Sequence, residues 1–385
     1  VGDRKGRRPG GLKINFVLPC YPKAPIGGFR VVYEYANRLV SRGHSVSVTH
    51  PKRMRNLPLQ GGFIPRMKRR FVDALRSWFP PKIDWHRIDE RVELLYVPEP
   101  TPENVPDADV VFATAWHTAE YVWEYPPEKG RKFYLIQHFE TWAGPEDRVV
   151  RTWLLPMHKV VIARWLLEKG RSLGVDDEHM VHIPNGIDHC KYRLIQDIEN
   201  RPRRIAMMYS DVEWKGSKDG ITALETLKAS HPDLEAILFG VGRRPKDLPR
   251  WIEYVQNPDQ EYLVREIYNR SSIYLCPSWT EGWHLPPAEA MACGCALVST
   301  DIGGVRDYAI DGVTALLAPV RSPGELARRA DELLQDDGRR ITIAREGKSL
   351  ISKFDWEKSS SLLEEYIKRV SDPAAGSRGL ETVLP

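Results

Sequence analysis

Cysteine is scarce in this 385-residue chain: five residues, an odd number without regular spacing. That excludes a disulfide framework and points to reduced thiols in a cytoplasmic setting. Cys293 and Cys295 form a C-x-C, but no second pair completes a zinc site, so both read as small core residues. Charge of one sign is lacking too. Lys and Arg number 56 against 52 Asp and Glu, for a net charge of +4, too little to argue for nucleic acid. No stretch approaches the ~20 apolar residues of a membrane span. The basic start "VGDRKGRRPGG" is followed by no apolar core, which argues against secretion. Neither half carries G-x-G-x-x-G with a following acidic residue, so a dinucleotide-dependent oxidoreductase is not supported. No repeat of solenoid length is visible.

What is present is an alternation. "LKINFVLPCYP" reads as an apolar strand, and "GGFRVVYEYANRLVSRG" as a helix with Val32, Tyr35, Ala36, Leu39 and Val40 along one face. "HSVSVTHP" returns as a strand, and further strands are expected over 108–115, 132–138, 159–164 and 180–186. A polar, Arg-rich break over 193–204 separates this half from a second that restarts with "IAMMYS". There the strands are "EAILFG", "SSIYLCPS", "CALVSTD" and "TALLAP", and three helical segments follow from Pro323. Strands separated by helices imply parallel sheets covered on both faces. The expected fold is α/β, with two doubly wound Rossmann-like domains facing a cleft. The N-terminal domain is expected over 1–195 and the C-terminal one over 196–352. A helix over 353–371, which can return to the N-terminal domain, and a flexible tail over 372–385 complete the chain.

The most informative stretch is "EGWHLPPAEAMACGCALVSTD", Glu281 to Asp301. Pro286 and Pro287 suit the first turn of a helix, and Gly294 suits its left-handed terminator. Glu281 therefore falls on a strand-to-helix loop at the ligand-binding edge of an α/β sheet, with Glu289 two turns into the helix. This Glu pair followed by "AMACG" resembles the E-x7-E motif of retaining GT-B glycosyltransferases, specifically glycosyltransferase family 4. The likeness extends to the Gly pair after the first strand, to "IPNGID", and to Lys215-Gly216 after "IAMMYS". The N-terminal segment "FVLPCYPKAPIGGFRVVYEYANRLVSRGHSVSVTHP" further resembles bacterial rhamnosyltransferases that build cell-surface polyrhamnans.

The resemblance implies transfer of a sugar, with rhamnose as the narrower expectation, from a nucleotide-diphosphate donor with retention of configuration. The acceptor is then a glycan or polyprenyl-linked chain in cell-surface polysaccharide synthesis. Backbone N–H groups around the helix start can hold phosphate, which makes Gly282, Trp283, His284 and Leu285 donor-binding candidates. Lys215 adds a point charge for the same diphosphate. By resemblance, Glu289 accepts hydrogen bonds from the nucleoside sugar, and Glu281 sits at the donor sugar. Two departures stand out. The family carries an arginine at position 210, where this chain has serine; Arg243 or Arg244 is the expected substitute. His284 stands where glycine is common.

In the first half, Gly27 and Gly28 open a helix and, by resemblance, abut the diphosphate. His138 matches a family histidine near the donor sugar and joins Lys215 and Glu281 as a catalytic candidate. His117, Asn185 and Gly186 are further candidates. Asp107-x-Asp109 has the D-x-D form of metal-dependent GT-A enzymes, but it precedes its strand and so lies at the wrong sheet edge. No metal and no cofactor are expected. Ten Lys or Arg against two Asp lie between Lys52 and Arg87. Within that stretch, 63–79 reads as a basic amphipathic helix able to lie on an anionic membrane. A helix packed on the first domain is the bland alternative. The expected location is cytoplasmic, with peripheral association at the inner face of the plasma membrane. Rival readings are a sugar-nucleotide epimerase on the same fold and a non-catalytic carbohydrate-binding protein.

Overall fold

The computed structural model describes residues 11–21, 25–56 and 83–371; the 63–79 segment and the tail from 372 lie outside them. Contacts divide the described chain into two compact units. The first holds residues up to Val161, Leu167–His182 and the chain from Ser360; the second holds Ile162–Leu166 and Ile183–Ser359.

The first unit is built on β1 (Lys13–Val17), β2 (Ser45–Pro51), β3 (Glu93–Val97), β4 (Val110–Ala113), β5 (Arg131–Ile136), β6 (His158–Val161) and β7 (Met180–His182). All pair parallel, in the order β3-β2-β1-β4-β5-β6-β7. Strand β4 is buried along its whole length, as a parallel strand covered on both faces must be. The helix Gly27–Ser41 lays Val32, Tyr35, Ala36 and Leu39 into the core, all fully buried. From Ser360 the last helix, Trp356–Ser371, packs in this unit: Tyr366 meets Phe133 edge-on at 5.8 Å, and Glu364 pairs with Arg42 at 3.1 Å.

The second unit contains β8 (Arg204–Met208), β9 (Glu235–Gly240), β10 (Ile252–Gln256), β11 (Ile273–Cys276), β12 (Ala296–Thr300) and β13 (Ala315–Ala318). They are parallel and ordered β10-β9-β8-β11-β12-β13. Ile205, Met207, Leu224, Leu238, Leu275, Val298 and Leu333 form the core between sheet and helices. Arg201, in the Arg-rich break, is buried and donates to the carbonyls of Tyr268, Ser271 and Cys293. Held through both terminal nitrogens, this guanidinium ties the linker to the sheet rather than to solvent, while its Nε is buried without a partner.

Both doubly wound sheets expected from the alternation are present. The structure adds two strands the periodicity does not announce, β3 and β10, each at the edge of its sheet. Both are only partly buried, and β10 accordingly lacks the apolar run that marks the central strands.

Candidate functional site

In the second sheet the order of strands reverses direction at β8: β9 and β10 lie on one side, and β11 to β13 on the other. Loops leaving the carboxyl ends of β8 and β11 therefore diverge, and a crevice at such a switch point is where α/β sheets take ligands. After β8 the chain makes a single 3₁₀ turn, Glu213–Lys215, and leaves it through Gly216 at φ 63°. A Cβ at Gly216 would lie 2.0 Å from the Pro277 carbonyl oxygen. Only glycine satisfies both the left-handed backbone and the close approach. The Trp279 N–H donates to the Trp214 carbonyl at 2.7 Å, so the β8 loop is tied to the β11 loop. Lys215 and Glu281 meet as a result: Lys215 Nζ donates to Glu281 Oε1 at 2.7 Å.

That pair sits in a largely dry setting. Glu281 is 9% exposed and His284 8%. Burial raises the Glu281 carboxyl, but His284, Lys215 and hydrogen bonds from Lys215 and Ser278 outweigh it and hold the group below its ordinary range. Burial drives the His284 imidazole down to about 4, with Glu281 opposing and Lys215 adding to the fall. At neutral pH Glu281 is thus a carboxylate and His284 a neutral imidazole. His284 Nδ1 lies 3.3 Å from the Cys276 thiol and Nε2 lies 3.4 Å from Glu281 Oε1. A thiol whose pKa burial pushes up to about 11 remains a donor, which puts the imidazole proton on Nε2, a buried atom with no hydrogen-bond partner among the described residues.

His284 has φ 61°, a left-handed conformation that costs a non-glycine residue roughly 1–2 kcal/mol. That explains the glycine the resemblance expects there. The imidazole contacts above and a hydrogen bond from Tyr308 Oη to the His284 carbonyl, 2.8 Å, hold the conformation. The helix Leu285–Ala292 then begins, with proline in its first turn. Pro286 and Pro287 carry no N–H, so within Leu285–Pro287 only Leu285 offers one, and the anion-holding capacity of this helix start is smaller than expected. Trp283 turns its ring into the core against Tyr308 and Phe354, at 4.9 and 5.5 Å, leaving its backbone as the part that faces the loop. Gly282 uses its carbonyl to accept Trp165 Nε1 at 2.8 Å. Glu289 is 2% exposed and accepts from Tyr268 Oη at 3.3 Å, so it points toward the interior of this unit.

Other candidates find different employment. Arg244 donates to the carbonyls of Ile252, Leu248 and Pro249 at 2.8, 3.3 and 2.9 Å. It clamps the loop before β10 and is not a substitute for the missing arginine, which corrects that expectation. Arg243 is exposed. Ser210 accepts the Val212 N–H at 3.2 Å and caps its own loop. A Cβ at Gly186 would come within 2.2 Å of the Trp356 nitrogen, so this glycine has a packing reason: it lets 185–187 lie against 354–356, where Ile187 bridges Asp355. Asn185 beside it is buried.

In the first unit Gly27 and Gly28 open their helix as expected. Gly28 lies against Gln137, whose Nε2 donates to its carbonyl at 3.1 Å, whereas a Cβ at Gly27 would meet nothing within 4 Å. His117 follows β4 and is buried, its imidazole pushed down to about 4 by burial and by Arg148. His138 follows β5, half-buried, edge-on to Trp142 at 6.3 Å. Glu140 accepts the Trp116 N–H at 2.7 Å, and burial pushes its carboxyl up to about 7 against that bond. Asp107 and Asp109 precede β4 and are engaged by Lys129 Nζ at 2.8 Å and the Lys13 N–H at 2.7 Å, which fits their reading as a strand entry.

Several residues near Glu281 carry no motif. Trp165, Trp279, Thr280, Asp301, Ile302, Gly303 and Val320 join Glu281 around a cavity of about 270 Å³ in the second unit. Trp279 Nε1 donates to Asp219 at 2.7 Å, and the Arg321 guanidinium lies 4.2 Å from its ring centre. Trp165 precedes Gly282 by 117 positions, so no local pattern marks it; the abundance of tryptophan, 12 in the chain, was the available hint.

Residues 191–350 match the family model described as "Glycosyl transferases group 1". An uncharacterised glycosyltransferase of Methanocaldococcus jannaschii is 31% identical over 147 residues, covering 36% of this chain and 42% of that protein. The phosphatidyl-myo-inositol mannosyltransferase of Mycolicibacterium smegmatis is 25% identical over 244 residues, covering 58% and 60%. The chain thus spans less than two thirds of the length of these relatives. Among solved structures, Anabaena HepE in complex with UDP-glucose superposes with a TM-score of 0.69 at 16% identity, covering 93% of this chain and 99% of that one. Sucrose-phosphate synthase from Thermosynechococcus elongatus gives 0.67 at 17% identity, covering 94% and 100%. The fold is that of these GT-B proteins, two Rossmann-like α/β domains with parallel sheets.

Proposed function

We propose that the protein is a nucleotide-sugar-dependent glycosyltransferase whose second unit holds the donor. The observation that carries this reading is the Lys215–Glu281 pair at the switch point between β8 and β11, 2.7 Å apart, inside the segment matching the group 1 model. A diphosphate arriving there recruits the Lys215 ammonium, and Glu281 is left to bind a hydroxyl of the transferred sugar and to offset positive charge developing at its anomeric carbon. Transfer proceeds with retention: the acceptor hydroxyl attacks from the face that the diphosphate leaves, and a leaving phosphate oxygen takes its proton. No protein nucleophile is required, and positioning supplies most of the rate. His284, neutral by burial, donates a hydrogen bond rather than a charge.

The Mycolicibacterium smegmatis relative is named as a phosphatidyl-myo-inositol mannosyltransferase, which supports a hexose-type donor. Rhamnose is the narrower choice suggested by the N-terminal stretch. The acceptor is a glycan or a lipid-linked chain of cell-surface polysaccharide. The reaction takes place at the cytoplasmic face of the membrane without a divalent metal or other cofactor. Among the described residues no helix is long and apolar enough to cross a membrane, and the basic 63–79 stretch is the proposed anchor. Calorimetry with UDP-, GDP-, ADP- and dTDP-sugars tests the reading. One donor class should bind, and an absence of binding by all four would overturn it.

A further inference from the structure

The cavity beside Glu281 has a position that the donor does not explain. Across the carboxyl edge of the second sheet the loops follow the strand order: Lys215 after β8, Glu281 after β11, Asp301 after β12, and Val320 after β13. Lys215, the diphosphate ligand of the reading above, lies on one side of Glu281. The cavity lies on the other, between the loops of β11, β12 and β13.

Its lining is built rather than incidental. Both tryptophans are half-buried, with their indole N–H groups spent on fixed partners: Trp165 on the Gly282 carbonyl, Trp279 on Asp219. Their rings are therefore pinned and not free to turn a donor toward a ligand. A Cβ at Gly303 would come within 2.4 Å of the Trp165 ring, so the β12 loop can pack there only because the residue is glycine. Arg321, at φ 56°, lays its guanidinium on Trp279 from the β13 loop. Two carboxylates face the same space. Glu281 is held by Lys215, and Asp301 by a two-point pair with Arg306 at 2.7 and 2.9 Å. Pinned aromatic walls with a few convergent acceptors are the chemistry of a small polar-ring site, and about 270 Å³ falls just below the ~300–1,000 Å³ of drug-sized pockets. A pyranose fits that description. Its C–H face lies on an aromatic wall, and its rim hydroxyls donate to carboxylates.

We propose that this cavity is an acceptor subsite: it holds a pyranose ring of the acceptor next to Glu281, on the side away from the diphosphate. The inference rests on the glycosyltransferase reading and adds a substrate contact on the second unit. Val320 is 39% exposed at the rim, so Val320→Trp fills the cavity without removing a core side chain, and Asp301→Ala removes an acceptor without filling it.

Saturation-transfer NMR on the full chain, with methyl α-glucopyranoside, mannopyranoside and rhamnopyranoside as probes, tests the assignment. Each probe is measured with and without a saturating nucleoside diphosphate (UDP, GDP, ADP or dTDP, whichever the chain binds), and affinity for all four is measured separately by calorimetry. At least one glycoside should receive saturation, and should still do so with nucleotide bound. Val320→Trp should weaken that signal by at least about tenfold, because it takes the volume the ring needs. Asp301→Ala should weaken it less, and neither should change nucleotide affinity. The proposal is overturned if no glycoside receives saturation, if nucleotide displaces it, or if Val320→Trp leaves it intact. Loss of nucleotide binding by the unaltered chain would instead bring down the donor reading, and the acceptor assignment with it.

Discussion

Removing Lys215 should separate what the lysine does for the fold from what it does for a ligand. Its side chain is 24% exposed and that of Glu281 10%, at 2.7 Å. Two unit charges near contact attract by about 4 kcal/mol at an effective dielectric of 20, but most of that is offset by desolvation. Breaking a fully buried pair costs about 3–5 kcal/mol because it strands a charge. With the lysine still a quarter open to water, Lys215→Ala should cost about 1–3 kcal/mol. Glu281→Gln added to it removes the stranded charge, so the double variant should regain most of that loss. Donor affinity should behave differently. One charge-assisted bond to phosphate contributes about 1.5–3 kcal/mol, so nucleoside diphosphate binding should fall roughly ten- to a hundredfold in Lys215→Ala and stay low in the double variant. Urea denaturation and calorimetry read the two quantities separately. Unchanged nucleotide affinity in Lys215→Ala would refute the donor-site assignment. Strictly additive stability losses would refute the ion-pair argument.

Further outcomes follow from the same geometry. Gly216→Ala forces a Cβ to within 2.0 Å of the Pro277 oxygen at φ 63°; it should cost more than about 1–2 kcal/mol and weaken nucleotide binding by displacing Lys215, which circular dichroism melts and calorimetry will show. His117 and His284 fall from 6.5 to about 4 in the fold, so they contribute stability that is present above pH 6.5 and lost as pH falls through 4, up to roughly 3 kcal/mol each by linkage. Glu140, raised to about 7, works in the opposite sense, its contribution being lost as pH rises through 7. Urea midpoints should therefore drop between pH 7 and 4.5 by the excess of the two histidines over Glu140, and His117→Asn with His284→Asn should abolish that drop; an equal drop in both would count against the burial argument. Sugar transfer should survive exhaustive chelation, and loss restored by magnesium or manganese would show that a metal takes part. Replacing Arg66, Lys68, Arg69 and Arg70 by Gln should abolish flotation with anionic vesicles at low salt, each basic residue near the surface being worth about 1 kcal/mol; wild-type indifference to such vesicles would exclude the anchor.

The parts of this molecule legible in its sequence are those whose physics is local. Central strands such as β4 and β11 are buried throughout, so they appear as apolar runs, and the helix after β11 carries its prolines and its terminating glycine in plain order. Edge strand β10 is half-solvated and leaves no such run, whereas β3 carries a short one, Leu94 to Val97, inside a charged stretch. Within the candidate site, Lys215 and Glu281 are legible as candidates because each follows a strand by a short loop and belongs to a recognisable spacing, and the structure brings the two together. What joins them, the backbone bond between Trp279 and Trp214 and the close approach of Gly216 to Pro277, spans more than sixty positions and has no signature. The same distance effect misassigned Arg244. Read along the chain it stands where a phosphate ligand belongs, whereas in space its fork is filled by three carbonyls of the loop before β10.

The serine at 210 then acquires a definite consequence. Its hydroxyl is occupied within its own loop by Val212, and its backbone exchanges hydrogen bonds with the Ser217 side chain at 2.9 Å in both directions. It is therefore a loop-closing residue and cannot turn toward an anion without opening the turn that aims Lys215. Proline at 286 and 287 removes two further N–H donors from the helix start. On the proposed donor reading, the serine at 210 and the missing N–H groups at 286 and 287 leave Lys215 as the charge offered to a diphosphate. A Ser210→Arg substitution would add a guanidinium while cutting the Ser210–Val212 cap. Tighter nucleotide binding in that variant would mean the charge outweighs the lost preorganisation, and weaker binding would mean the turn matters more.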